Sequence, residues 1–292
     1  MTSLLSERAM LVRLSIKQFS ARKLDKRISR EVNDQHGASA DAGRYNKRLL
    51  AKEALAEIAG IANAARAAHY EHTSPWLDDG ARVLSAIAFP TYSAKMQAFR
   101  MDFEAAVAKF VQAYPDLREA AKADMGSLFD EADYPDALDI EKRFEFRGAI
   151  YPFPEGADFR VSLAEGQTAD IRAELAEAAQ ATVRMATLDA WQRVHEVAAR
   201  MKERLTAYTP GGDGIKATGT FHDTLVSNVT ELADILPGLN LAQDPALDAM
   251  ARRLREDLAS VDADTLRADP IVRADTAAAA DAILRHVSDY LA

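Results

Sequence analysis

Few side chains in this sequence stand at spacings that chemistry would require. His69 and His72 lie three residues apart, with Glu71, Asp78 and Asp79 close by. Imidazoles at that spacing share one face of a helix and, joined by a carboxylate, suit a divalent metal. No H-E-x-x-H pattern accompanies them, so a polar helix end is the favoured reading and a metal-dependent enzyme the unfavoured one. Asp130, Glu131, Asp133, Asp136, Asp139 and Glu141 crowd one segment without the glycine and spacing of a calcium loop, and a solvated acidic connection is expected there. The stretch PGGDGIKATGT (Pro210 to Thr220) lacks phosphate-loop spacing and follows a helical pattern, so it reads as a linker or helix cap. His195 sits beside Trp191 in a helical pattern, with no Ser or Asp placed to complete a triad. His222 and Asp223 read as a helix start. The chain has no cysteine, which removes thiol nucleophiles, disulfides and zinc–thiolate sites together. The expectation is a non-enzymatic protein with no catalytic residue, no cofactor and no metal.

Charge is the more informative pattern. The net charge is −9, yet the first 50 residues carry eleven Lys/Arg against five Asp/Glu, which is +6 and leaves −15 for the remainder. Arg13, Lys17, Arg22, Lys23, Lys26, Arg27 and Arg30, followed by Arg44, Lys47 and Arg48, could form an electrostatic footprint for nucleic-acid phosphates. Only Phe19 and Tyr45 interleave them as stacking platforms. The competing account, ranked first, pairs these cations with acidic segments of the same or a neighbouring chain.

The elements that would position such groups are mostly helical. From Asp170 to Tyr208 there is neither Pro nor Gly, and apolar residues recur at threes and fours. A helix of that span is roughly 60 Å long and needs partners along its length. Leu188, Trp191, Val194, Met201 and Leu205 are the predicted helix–helix interface, with the step through Leu188 the one irregularity. Further helices are predicted over 46–70, 93–113, 117–128, 222–235, 245–258 and 270–290, with Pro115 stopping or kinking the chain and Pro237-Gly238 ending a helix. Alternation predicts a strand at Met10 to Lys17 and a pair around Pro152 to Gly156, from Phe144 to Ile150 and from Phe159 to Leu163. The expected fold class is mainly α (α+β): a long-helix bundle with a coiled-coil-like core and a small antiparallel β-sheet. The expected organisation is an N-terminal region 1–209, a Gly-rich linker 210–218 and a C-terminal helical region 219–292. No run of about 18 apolar residues or secretory leader is visible, so a cytoplasmic, membrane-free protein is expected.

Five stretches together resemble an uncharacterised family carried mainly by tailed phages and prophages, a domain of unknown function. They are MLVRLSIKQFSARKLDK (Met10 to Lys26), AGRYNKRLL (Ala42 to Leu50), HTSPWLDDGARVL (His72 to Leu84), DFRVSL (Asp158 to Leu163) and LVSNVTELADILPGLNL (Leu225 to Leu241). Members of that family are often encoded beside a MoxR-like AAA+ ATPase and a von Willebrand A-type protein. The resemblance implies a phage-encoded, self-associating adaptor or structural protein with protein partners, such an ATPase system among them, acting in the host-cell cytoplasm. It carries over no catalytic residue. The alternative is a nucleic-acid-binding accessory protein acting through the basic N-terminal region.

Overall fold

The structure, a computed structural model, describes residues 5–154, 165–211 and 216–291. In chain order, β1 (Ala9–Lys17) and β2 (Arg22–Asp25) lead to α1 (Lys26–Gln35), β3 (Tyr45–Arg48), α2 (Ala56–His72), β4 (Ser74–Trp76), β5 (Asp78–Ser85) and α3 (Phe89–Met125). After three short 3-10 turns come β6 (Glu145–Pro152), α4 (Glu165–Ala207), α5 (Thr224–Leu239), α6 (Pro245–Arg253), α7 (Ala263–Ala268) and α8 (Pro270–Leu291). The protein is therefore mainly α, with a small antiparallel sheet ordered β4–β5–β1–β6 and a separate ribbon β2–β3. The strand predicted at Met10 is β1, and the one predicted near Phe146 is β6. The partner strand expected at Phe159 to Leu163 lies outside the described residues. No helix among the described residues is long and apolar enough to cross a membrane.

Two compact units emerge. The first comprises Met1–Arg13, Tyr70–Tyr92 and Ile150–Ala292, and the second Leu14–His69 and Ser93–Ala149.

In the first unit, α4 runs unbroken for 43 residues, about 65 Å at the helical rise. It lies antiparallel to α8, since Trp191 stacks on Tyr290 while Lys202 pairs with Asp281. Trp191, Val194, Met201 and Leu205 of α4 meet Val229 and Leu236 of α5 and Ile283 and Val287 of α8 in one core. Pro237 does not end α5, which continues to Leu239. Leu236 and Leu239 are both buried on either side of the proline, and Gly238 passes so close to Ala88 that a Cβ there would stand 2.8 Å from that residue's own Cβ. A smaller core gathers around Trp76, whose ring meets Phe153 edge-on at 4.7 Å. Of the Gly-rich stretch 210–218, residues 212–215 lie outside the described residues. Its flanks are tied by two backbone hydrogen bonds between Thr209 and Thr218, 3.0 Å each. Gly219 follows at φ +62°, where a Cβ would overlap the carbonyl oxygen of Ala207.

In the second unit, Leu49, Leu50 and Ile58 pack with Phe103, Phe110, Tyr114 and Tyr134. The helix predicted from Asn46 begins only at Ala56, because Tyr45–Arg48 pairs with β2 in the register Arg22↔Arg48 and Lys23↔Lys47. Of the stop or kink predicted at Pro115, the stop is absent: α3 runs through it from Phe89 to Met125. A proline inside a helix costs about 3 kcal/mol. Phe110, Tyr114 and Ala121 flank it on a single buried face, and each large side chain so buried returns about 1.5–3 kcal/mol. Packing wins.

Candidate functional site

The second unit builds a basic groove from three segments. The turn between β1 and β2 is held by Ala21, buried at φ +48° with its carbonyl accepting the Leu49 N–H at 2.7 Å. A β-carbon in that left-handed region is strained, and such strain persists only where its surroundings enforce it. The turn sets Ser20 and Arg22 on the same side. Facing them is the segment that begins at Asp133 and ends at Arg143. The groove between them has a volume of ≈ 670 Å³ and is lined by Lys17, Arg22, Lys23, Lys142 and Arg143, with Asp133 the one carboxylate residue among the described residues that line it. Gln18, Phe19 and Ser20 complete one wall. Phe19 is half-buried and anchors that wall in the core.

Beneath the groove lies a buried ion cluster. The Lys47 side chain is only 6 % exposed; it sits 3.3 Å from Asp25, touches Asp133, and donates to the Leu128 carbonyl at 3.0 Å. Lys23 reaches the same Asp133 at 2.5 Å. Asp133 Oδ2 meets the Lys47 ammonium as an ion pair. Burial alone would push the Asp133 carboxyl up, but Lys23 and Lys47 outweigh it and hold it below the ordinary carboxylate range. Asp25 is likewise held low, chiefly by the Ile28 N–H that it accepts in capping α1, and then by Lys47 against the effect of burial. Desolvation would lower the Lys47 ammonium, yet its two carboxylates raise it above its usual value. The segment is pinned from behind by the Tyr134 hydroxyl, which donates to the Leu49 carbonyl at 2.8 Å, and by that of Tyr114, which donates to the Pro135 carbonyl at 3.0 Å.

The predicted basic residues thus divide. Lys17 pairs with Glu145, Lys23 with Asp133, and Arg27 with Glu31 at 3.6 Å. Arg13, Lys26 and Arg30 are exposed on β1 and α1 and do not line the groove. Arg22 lines it. Lys142 and Arg143, which sequence reasoning missed, enter from more than 100 residues away in the chain. The acidic connection is not uniformly solvated either, because the Asp133 side chain is 5 % exposed whereas Asp130, Glu131, Asp136, Asp139 and Glu141 are exposed.

The second candidate surface is on α4 in the first unit. Trp191, Val194, Met201 and Leu205 are buried, whereas Leu188 is 51 % exposed. The buried ridge runs instead through Thr182, Ala186, Ala190, Val194, Ala198, Met201 and Leu205. Steps of four from Thr182 to Ala198, with small alanines, let neighbouring helices approach closely, which accounts for the irregular step at Leu188. Left exposed are Met185 and Leu188 on α4; Tyr290 and Leu291 are exposed at the end of α8. The Trp191 indole N–H has no hydrogen-bond partner among the described residues; its ring lies 4.2 Å from that of Tyr290.

His69 and His72 are buried in the last turn of α2 rather than forming a polar helix end. No group of three His, Cys, Asp or Glu among the described residues is placed to hold a metal ion. His195 is half-buried on α4. Asp223, next to His222, pairs with Arg267 at 2.6 Å. No protein-family model, curated protein or solved structure matches this chain.

Proposed function

We propose that this chain is a non-enzymatic binding protein, an adaptor or structural component that associates with a second copy of itself and with protein partners. The observation that supports this reading is the exposed apolar strip formed by Met185 and Leu188, three residues apart on one face of α4. The rest of the α4 seam is filled by the chain's own α5 and α8, so the strip is what remains for another molecule. Covering these side chains with a second molecule removes apolar surface from water, which favours association. The resemblance to the phage family supports a MoxR-like AAA+ ATPase as a partner and the host cytoplasm as the place of action. Light scattering at micromolar concentration tests the reading. A mass greater than one chain is expected, and Met185→Glu with Leu188→Glu should return it to one. A monomer at every concentration that also ignores the ATPase in pull-down would overturn it.

A further inference from the structure

The basic groove carries a separate reading. Three of its cations are occupied: Lys17 by Glu145, Lys23 by Asp133, and Lys142 by Asp139 at 2.6 Å. Arg22 and Arg143 are exposed and make no close ion pair among the described residues, Arg143 meeting the field of Asp139 only at longer range, yet both line the same groove. Arg22 also faces Arg48 directly across the ribbon. Like charges in opposing positions destabilise a strand pair, so local stability does not explain this placement. Two guanidiniums outside any close ion pair present the forked donors that match phosphate oxygens. Phe19 adds an aromatic surface and Ser20 a hydroxyl, and the groove's ≈ 670 Å³ falls within the range of small-ligand sites, about 300–1,000 Å³. The buried Asp25–Lys47–Asp133 cluster and the strained Ala21 fix the walls before any ligand arrives.

We infer that this groove binds a phosphate-bearing nucleotide ligand, with Arg22 and Arg143 gripping the phosphates and Phe19 flanking the base or sugar. Two sources share that chemistry: the backbone of single-stranded nucleic acid and a free nucleotide. The site differs from a general basic surface in leaving out Lys26, Arg27 and Arg30.

The test uses the full chain, a labelled oligothymidylate followed by fluorescence anisotropy, and ATP as competitor. Binding is expected at low salt. Arg22→Ala with Arg143→Ala should weaken it on the order of 10-fold to 100-fold, and should reduce the slope of log K against log salt by about 1.4 for a single strand. Lys26→Ala with Arg30→Ala, equal in charge removed but outside the groove, should change affinity by less than about 3-fold. Displacement by ATP identifies a free nucleotide as the ligand; binding that ATP does not displace identifies the nucleic-acid backbone. Failure of both probes to bind at low salt overturns the inference, as does an equal loss in the two double variants. Arg22→Lys keeps the charge without the fork and should fall between wild type and Arg22→Ala. It reads the same question should the double variant fail to fold.

Discussion

Val194 in the first unit and Lys47 in the second are both removed from water, and by different means. Val194 is 0 % exposed and sits in a core of alkyl and aromatic groups supplied by the surrounding helices. Lys47 is 6 % exposed and is tolerated only because Asp25, Asp133 and the Leu128 carbonyl surround its ammonium. Burial of the first kind is graded, each lost methylene removing a share of the stability. Burial of the second kind depends on every partner being present, because an abandoned charge keeps its desolvation penalty. The first unit should therefore respond smoothly to truncation and little to pH, and the second abruptly to both loss of a partner and loss of a proton.

The sharpest break of that contrast is Trp191→Ala. The indole is 1 % exposed and stacked on Tyr290, so a loss of about 3–5 kcal/mol is expected in denaturant unfolding. Next is Lys47→Met, which leaves Asp25 and Asp133 without their shared cation and should destabilise the second unit by about 3 kcal/mol. Adding Asp133→Asn to that variant should cost less than the sum of the two single changes, and a double-mutant cycle measures the difference. A smaller effect follows from titration. Asp25 and Asp133 are held below the ordinary carboxylate range in the folded chain, so their contribution is complete above about pH 4 and is lost as pH falls through the folded values. Lys47 is raised, so its contribution is complete below about pH 10 and is lost as pH rises through the folded value. Stability measured against pH should show both flanks, and Asp133→Asn should flatten the acid one. The smallest change belongs to Leu188→Ala measured on the chain diluted to a single copy, within about 0.5 kcal/mol because that side chain is 51 % exposed in the isolated chain. A larger loss at micromolar concentration would show that the exposed strip is buried in an assembly.

How much of this was legible in the residues depended on range. The long helix was readable because local composition decides it: from Asp170 onward nothing breaks a helix, and α4 follows. Its partner face was readable only in part, since threes and fours place Trp191, Val194, Met201 and Leu205 correctly but cannot tell Leu188 from the small Ala186 and Ala190 that pack in its stead. Pro115 and Pro237 misled in the opposite direction. Their local penalty is real, and distant core contacts overrule it. The ribbon β2–β3 was not legible at all, being two four-residue strands rich in charge and 19 or more residues apart along the chain. The basic groove was half legible. Arg22 and Lys23 stood out as a charge run, whereas Lys142, Arg143 and the pairing of Lys47 with Asp133 arise from segments far apart in the sequence.

The chain holds two tryptophans, Trp76 and Trp191, and both belong to the first unit. Indole emission therefore reports on that unit alone, Trp191 through its stack on Tyr290 and Trp76 through its edge contact with Phe153. Melting of the second unit is silent in that channel and visible in far-ultraviolet dichroism or in the signal of Tyr114 and Tyr134. Heating one sample while recording both channels separates the two transitions without cutting the polypeptide.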